Sequence, residues 1–413
     1  MIESISVNSH FQHRHLAAPL LKEREQYLTH LLKIGYDARR VRAIAGYLVH
    51  VVNVMELTCL PGVELIEIEE AAKRWAETTG PERIWTRKVP SPRHFATTAR
   101  QWFRFHGALI TQTPAGRFKA QLEEIKSVMK SRGLAPITIG SNLYRIGQFL
   151  RWASERHDDF SLLKLKDVDD YLAWNREAGL RPSTIAGHSY ALREFFKVAE
   201  ERDWCPHGIS RRIAKPKIPA CTDNPKGPSW ADVRRVIRSV SGKTPSELRK
   251  RALFLLFSVY GLRVSEVVCL RLDDFDWRNE TFCVHRAKRG GIQQFPIQFE
   301  VGEAILDYLR DGRPQCACRN VFLTLRLPYR PLGRSPIGRI VRKQMKRMEI
   351  QSEQYGPHSL RHTCATRLLK KGSSLQEIAD FLGHRSTTCV STYAKFDRRS
   401  LRKVADFSLA RIL

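Results

Sequence analysis

The spacing of apolar residues predicts helices in the middle of the chain. Between residues 139 and 155, apolar side chains recur at intervals of three and four, which is the period of a helix with one buried face. These positions are Leu143, Ile146, Phe149, Leu150 and Ala153. A further helix is predicted to begin at Pro182, because the hydroxyl of Ser183 can cap its first turn. Residues 113–213 are therefore predicted to form a small helical bundle.

The N-terminal third of the chain repeats this pattern weakly. The segment 65–80 parallels the segment 163–179, and the segment 98–109 parallels the segment 190–204. Two interpretations follow from this similarity. Residues 1–112 are either a second copy of the helical bundle or an unrelated helical extension.

The last part of the chain combines helices with a short sheet. Four prolines and one glycine within residues 214–228 indicate an extended linker that precedes this part. Residues 276–297 alternate in polarity around two turn sequences, which predicts two or three antiparallel strands. Helices are predicted to return from Pro357 onward. We therefore expect a fold that is mostly α with a small antiparallel β-sheet, in which residues 229–413 form the last domain.

The chain is strongly basic, since 70 lysines and arginines outnumber 42 acidic residues and leave a formal charge of +28. A surplus of this size indicates a polyanionic partner. No apolar run approaches the ~20 residues that a membrane-spanning helix needs, so no membrane partner is expected. Nine scattered cysteines predict neither a disulfide framework nor a zinc site, and no secretory signal is apparent. These features favour a cytoplasmic protein without a bound metal.

Residues 229–413 contain the residue types that can cleave a phosphodiester bond without a metal. Such a reaction needs a nucleophile, cations for the non-bridging oxygens and an acid for the departing 5′ oxygen. Arginine suits the second role, because its planar guanidinium binds two phosphate oxygens at once and stays charged. Four residues of this region are candidates for these roles, and each also has an ordinary interpretation when it is considered alone. Those interpretations are a surface residue for Arg263, a helix cap for His358, a solvated loop residue for Lys288 and a packing residue for Tyr393.

Two stretches of this region resemble the conserved boxes of the tyrosine recombinase, or phage integrase, family. They are YGLRVSEVVCLRL at 260–272 and PHSLRHTCAT at 357–366, and LGHRSTTCVSTY follows at 382–393. The catalytic residues that the resemblance implies are Arg263, Lys288, His358, Arg361, His384 and Tyr393, with Glu266 in a supporting role.

The resemblance also implies an architecture and a reaction. Residues 113–213 would be a SAM-like core-binding domain that forms a clamp around DNA with the catalytic domain, residues 229–413. Tyr393 would attack a backbone phosphate to give a 3′-phosphotyrosine and a free 5′ hydroxyl, and no metal or nucleotide cofactor would be needed. Strand exchange at specific sites in double-stranded DNA would require a homotetramer assembled on the DNA, with sister recombinases as further candidate subunits. Such a protein would associate with the nucleoid.

Basic side chains outside the two boxes are expected to contact the DNA backbone, although a solvated helix face has the same composition. The candidates are Arg145, Arg151 and Arg181 in the bundle, and Arg339, Arg342 and Lys343 before the second box.

A recombinase of a mobile element is the leading hypothesis, and three alternatives stay open. They are a recombinase that resolves chromosome or plasmid dimers, a DNA-binding architectural protein with an inactive site, and a relaxing type IB topoisomerase. The extra N-terminal residues disfavour the first alternative, and the complete catalytic set disfavours the second. The sequences of the two boxes disfavour the third.

Overall fold

The computed structural model describes residues 9–77, 91–110, 118–214, 227–286, 291–352 and 354–383. The chain divides into two compact units. The first unit comprises Met1–His30 and Arg39–Cys221, and the second comprises Leu31–Ala38 and Thr222–Leu413. Residues 215–226, most of the predicted linker, lie outside the described part of the chain.

In its described part, the first unit consists of helices and one short pair of strands. Its helices are α1 Ser9–Ala17, α2 Leu21–Lys33 (which ends within the second unit), α3 Ala38–Val54, α4 Leu65–Glu77, α5 Pro92–Phe105, α6 Lys119–Ser131, α7 Pro136–Ser154, α8 Leu165–Glu177, α9 Pro182–Glu201 and α10 Ile209–Arg212. Strand β1, Val63–Glu64, pairs in parallel with β2, Leu109–Ile110. The sequence did not predict these strands, because two residues are too few to show a period.

The helices of residues 118–213 enclose their own apolar core, as the spacing of apolar residues predicts. On α7, Ile146, Phe149 and Leu150 are fully buried. The ring of Phe149 meets those of Tyr171 on α8 and Phe196 on α9 edge to face, at centroid distances of 5.3 and 5.7 Å. Aromatic contacts of this kind hold three helices of the bundle together.

The second unit is built on a buried helix and a small antiparallel sheet. Its helices are α11 Trp230–Arg238, α12 Pro245–Val259, α13 Val264–Cys269, α14 Phe299–Asp307, α15 Arg334–Arg347, α16 Pro357–Lys370 and α17 Leu375–Leu382. Its strands are β3 Phe275–Asp276, β4 Thr281–His285 and β5 Ile292–Pro296, which pair in the order β3-β4-β5. The predicted fold class, mostly α with a small antiparallel sheet, is confirmed.

Helix α12 forms the centre of this unit because it is apolar around its whole circumference from Ala252 to Phe257. Ala252 to Phe257 are six consecutive buried residues, and the neighbouring elements pack against all of them. The side chain of Thr244 caps the first turn of this helix, since it accepts a hydrogen bond from the backbone N–H of Glu247. Ser374 caps α17 in the same way, through the N–H of Glu377. These elements place both conserved boxes on one core.

Candidate active site

The turn before helix α13 requires a glycine. Gly261 has a φ of +59°, and a Cβ atom at this position would lie 2.5 Å from Cδ2 of Leu382. A side chain is therefore disfavoured by the left-handed backbone and by contact with the end of α17. The turn places Arg263 at the N-cap of α13 in an extended conformation.

Glu266 orients Arg263 from within the first turn of α13. Its Oε2 accepts a hydrogen bond from the backbone N–H of Arg263 at 2.7 Å, and its Oε1 accepts one from Nη1 at 2.8 Å. The side chain of Glu266 is 1% exposed, whereas that of Arg263 is 21% exposed. The carboxylate is thus an internal anchor for a guanidinium that reaches the surface.

A second arginine shares this carboxylate, and the sequence did not lead us to select it. Arg286 is 4% exposed, and its Nη1 donates to Oε2 of Glu266 at 2.8 Å. A signal for it was present in the sequence of strand β4, where Phe282 and Val284 are buried on alternate positions. Since side chains alternate across a strand, position 286 is the next inward-facing position.

The two arginines keep Glu266 ionised. Burial by itself raises the pKa of this carboxyl, but the backbone hydrogen bond from Arg263 and the charge of Arg286 outweigh that effect. The pKa of Glu266 therefore lies below its ordinary value. At neutral pH the carboxylate carries one negative charge and lies between two guanidiniums. Glu266, Arg263 and Arg286 together therefore carry one net positive charge.

Helix α16 carries the residues of the second box. Arg361 is 2% exposed, and its Nη1 and Nη2 donate to the carbonyl oxygens of Gly261 and Leu382, each at 2.6 Å. His358 precedes it by three residues and has an exposed side chain. The ring of His358 lies 4.7 Å from that of His362, a half-buried residue that is absent from the predicted set.

Three guanidiniums meet at the C-terminal end of α17, where each donates to one of three consecutive carbonyl oxygens. The pairs are Arg286 Nη2 to Phe381 (2.9 Å), Arg361 Nη2 to Leu382 (2.6 Å) and Arg263 Nη2 to Gly383 (2.8 Å). The last carbonyls of a helix lack intrahelical partners and form the negative end of its dipole. This helix end therefore holds three cations from separate segments, and the next residue in the chain is His384.

The predicted site residues fall into two groups. Arg263, Glu266 and Arg361 lie together at this cluster, and His358 lies on the same helix as Arg361. The predicted Lys288, His384 and Tyr393 lie outside the described residues.

The predicted DNA-binding residues of the second unit share one surface. Arg339, Arg342 and Lys343 are exposed on α15, whose opposite face is buried through Ile337 and Val341. These three side chains form the α15 basic face.

The corresponding residues of the bundle are placed differently from one another. Arg151 on α7 and Arg181 at the start of α9 are exposed. Arg145 on α7 is half-buried and lies against Gly187 of α9, where a Cβ atom would be 3.1 Å from the guanidinium carbon. Contact of these residues with DNA stays a prediction.

Within the described ranges of the chain, no helix combines the length and the apolar character needed to cross a membrane. No cluster of three or more His, Cys, Asp or Glu side chains suited to hold a metal ion occurs among the same residues.

The chain is similar to proteins of a known family. Residues 231–399 match the model of the Phage integrase family, and residues 125–203 match that of the phage integrase N-terminal SAM-like domain. Two relatives come from Sinorhizobium fredii (strain NBRC 101917 / NGR234). The one named "Putative integrase/recombinase y4gC" is 38% identical over 164 residues, which cover 40% of this chain and 84% of the relative. The one named "Putative integrase/recombinase y4rA" is 43% identical over 175 residues, which cover 42% of each protein.

The fold is also similar to that of solved structures. The crystal structure of XerH site-specific recombinase bound to palindromic difH substrate has a TM-score of 0.55 and 17% identity. The match covers 83% of this chain and 95% of that one. A lambda integrase dimer bound to a core site has a TM-score of 0.53 and 18% identity, over 66% of this chain and 94% of that one.

Proposed function

The chain belongs to the phage integrase family of tyrosine recombinases, and from this premise we propose that it is a site-specific DNA recombinase. It would cut and rejoin DNA strands through a 3′-phosphotyrosine intermediate. The observation that carries the proposal is the meeting of Arg263 and Arg361, one from each conserved box, at the end of α17.

The two arginines bind the scissile phosphate. Each guanidinium presents five N–H donors in one plane, which suits the non-bridging oxygens of a phosphodiester. Arg263 is fixed by Glu266, and Arg361 by the carbonyl oxygens of Gly261 and Leu382. These contacts orient both side chains before DNA arrives.

Tyr393 attacks the phosphorus atom in line. A tyrosine hydroxyl has an ordinary pKa of about 10, so its ionisation needs the positive field of the arginines and a proton acceptor, which is His358. The new bond joins the phenolic oxygen to phosphorus, and the bond from phosphorus to the 5′ oxygen breaks. Lys288 protonates the leaving 5′ oxygen, and His384 donates a hydrogen bond to a non-bridging oxygen of the transition state.

Rejoining reverses these steps with a different strand. The 5′ hydroxyl of a partner strand attacks the phosphotyrosine, and Tyr393 leaves as the free side chain. The number of phosphodiester bonds is conserved, and the arginines supply the positive charge, so the proposed mechanism uses neither a nucleotide nor a metal. Exchange of both strand pairs needs four active sites, which implies a homotetramer on DNA with sister recombinases as further candidate subunits.

Affinity for double-stranded DNA comes mainly from phosphate contacts. The formal charge of +28 and the exposed α15 basic face support this part of the proposal. A protein that neutralises six to ten phosphates loses roughly 10³–10⁵ in affinity between 50 and 200 mM salt. DNA binding by this chain should be correspondingly sensitive to salt.

A suicide substrate tests the proposed reaction. Nicked duplexes that tile the DNA on both sides of the gene are incubated with the full chain, so that cleavage beside the nick releases a short strand and prevents religation. We expect a protein–DNA adduct that survives SDS, and the same adduct in the presence of EDTA.

Two variants complete this experiment. Tyr393→Phe should form no adduct, whereas Tyr329→Phe, a surface tyrosine outside the site, should behave as the wild type. An adduct that persists in Tyr393→Phe would overturn the assignment of the nucleophile. Absence of any adduct from the wild type would favour a DNA-binding protein with an inactive site.

A further inference from the structure

Arg286 occupies a position where the fold by itself calls for an apolar residue. Strand β4 buries Phe282 and Val284 in the core, and the next inward-facing position is Arg286. A buried cation loses its hydration, which costs free energy. A protein with a well-packed apolar side chain in place of a buried ion pair is often at least as stable. Core packing alone therefore gives no reason for an arginine here.

The contacts of Arg286 join three separate parts of the catalytic unit. Nη1 donates to Glu266 on α13 at 2.8 Å, Nη2 donates to the carbonyl oxygen of Phe381 on α17 at 2.9 Å, and Nε donates to Oε1 of Gln293 on β5 at 2.9 Å. The backbone N–H of Arg286 also donates to the carbonyl oxygen of Gly291 at 3.0 Å, which continues the β4–β5 ladder.

Gln293 extends this connection. Its Nε2 donates to the carbonyl oxygens of Asp380 and Phe381 at 3.3 and 3.4 Å. Gly383 also lies close to Arg286, because a Cβ atom at Gly383 would be 2.9 Å from Nε of the arginine. The guanidinium and the end of α17 are therefore in close contact. The hairpin is thus attached to the helix end by two neighbouring side chains.

From this arrangement we infer that Arg286 is a positioning residue for strand cleavage. It acts through Glu266, which orients the phosphate-binding Arg263, and through the end of α17, which also binds Arg361. One rigid planar group fixes the hairpin, the first box and this helix end relative to one another. The inference rests on the proposed function, because it assigns Arg286 a part in the same reaction.

Three kinds of variant test this role on the full chain. Arg286→Gln removes the charge, Arg286→Lys keeps the charge but loses the planar fork, and Arg278→Gln is the matched control. Arg278 is an exposed arginine of the turn before β4. The probe is the nicked duplex that gives the strongest adduct with the wild type, and the measurements are its dissociation constant and the single-turnover cleavage rate at saturating protein.

We expect Arg286→Gln to slow cleavage by about 10- to 100-fold, by analogy with the loss of a residue that orients a metal ligand. DNA affinity should change by less than about threefold, since affinity comes from many phosphate contacts. Arg286→Lys should recover part of the rate, and Arg278→Gln should match the wild type. Equal losses in rate and affinity, or a wild-type rate in both Arg286 variants, would overturn the inference.

A double-mutant cycle tests whether Arg286 acts through Glu266. Glu266→Gln, Arg286→Gln and the combined variant are compared by cleavage rate, because residues that act as one unit lose their function together. The combined variant should be no more than about threefold slower than the slower single variant. Multiplicative losses would show that the two residues act independently, against the inference.

Hydrogen exchange gives a readout that does not require cleavage. In Arg286→Lys, the backbone amides of β5 and of residues 380–383 should exchange faster than in the wild type, while those of α12 should not change. If the wild type forms no adduct, the proposed function fails, and exchange alone then decides whether Arg286 fixes these segments. Unchanged exchange at both segments would refute the positioning role.

Discussion

Replacement of Glu266 by glutamine should destabilise the catalytic unit strongly, although the two side chains have nearly the same shape. The carboxylate accepts three hydrogen bonds, two from Arg263 and one from Arg286, and its side chain is 1% exposed. A neutral amide cannot balance the positive charges of two guanidiniums. Its NH₂ group would also lie against N–H donors of Arg263 or Arg286, with which it cannot form a hydrogen bond. The change therefore removes the carboxylate that pairs with the buried guanidinium of Arg286.

The magnitude follows from the number and kind of bonds. A hydrogen bond to a charged group contributes about 1.5–3 kcal/mol, and removal of one member of a buried ion pair costs about 3–5 kcal/mol. We expect a loss near the latter range. For a unit of this size, each 1 kcal/mol lowers the Tm by about 2–4 °C, so the Tm of the catalytic unit should fall by about 6–20 °C.

The assay is calorimetric unfolding of the full chain at neutral pH, with Glu303→Gln as the matched control. Glu303 is an exposed glutamate on α14, and its replacement should leave the Tm within about 1 °C of the wild type, as is usual for surface substitutions. A Glu266→Gln protein with the Tm of the control would refute the structural role that we assign to this carboxylate.

The difference in Tm between the wild type and Glu266→Gln should also depend on pH. The pKa of Glu266 in the folded protein lies below its ordinary value of 4.5, so its stabilising effect is fully present above pH 4.5. That effect is lost as the pH falls through the lowered pKa. The difference in Tm between wild type and Glu266→Gln should therefore be constant from about pH 7 to 5.5 and should narrow below pH 4.5. A gap that widens on acidification would contradict the sign of this argument.

Three further predictions concern the nucleic-acid surface, the leaving group and the turn. Neutralising Arg342 and Lys343 together should reduce the slope of log affinity against log salt by about 2, with little change in sequence preference, as a titration of binding at several salt concentrations would reveal. Lys288→Ala should slow cleavage of an ordinary duplex by about 10²–10⁴-fold, yet cleave a substrate with a 5′-bridging sulfur at nearly the wild-type rate, because a thiolate leaves without a proton. Equal defects on both substrates would count against Lys288 as the acid. Gly261→Ala should lower the free energy of unfolding by about 1–3 kcal/mol, measured in urea, since the new methyl group would both strain the backbone at φ +59° and overlap Leu382.

Local pattern was sufficient to predict most of the elements of the catalytic unit. The fully apolar stretch from Ala252 to Phe257 predicts a buried helix, and the alternation in residues 276–297 predicts the antiparallel strands. Prolines marked the helix starts at Pro182 and Pro357, although the N-cap of the helix that begins at Pro182 is Arg181 and makes no side-chain hydrogen bond. Such features depend on neighbours in sequence, so they can be read without tertiary structure.

The arrangement around the end of α17 could not be predicted in this way. The hydrogen bonds from Arg263 and Arg286 to residues 381–383 join segments that are far apart in the chain. The local spacing of residue types does not indicate which carbonyl oxygen a distant guanidinium binds. The two boxes pointed to Arg263 and Arg361 through a family resemblance, whereas Arg286 belongs to neither box and was missed. The alternation along β4 marks position 286 as inward-facing, but its contacts with Glu266 and Phe381 are known only from the tertiary structure.

The central claim is that Tyr393 becomes covalently joined to DNA. The most direct measurement is mass spectrometry of the protein recovered from the SDS-resistant adduct, after nuclease and protease digestion. The account predicts a nucleotide attached through its 3′ phosphate to the peptide that contains Tyr393, together with a released strand that ends in a 5′ hydroxyl. A nucleotide on any other residue, or a released strand with a 5′ phosphate, would contradict it.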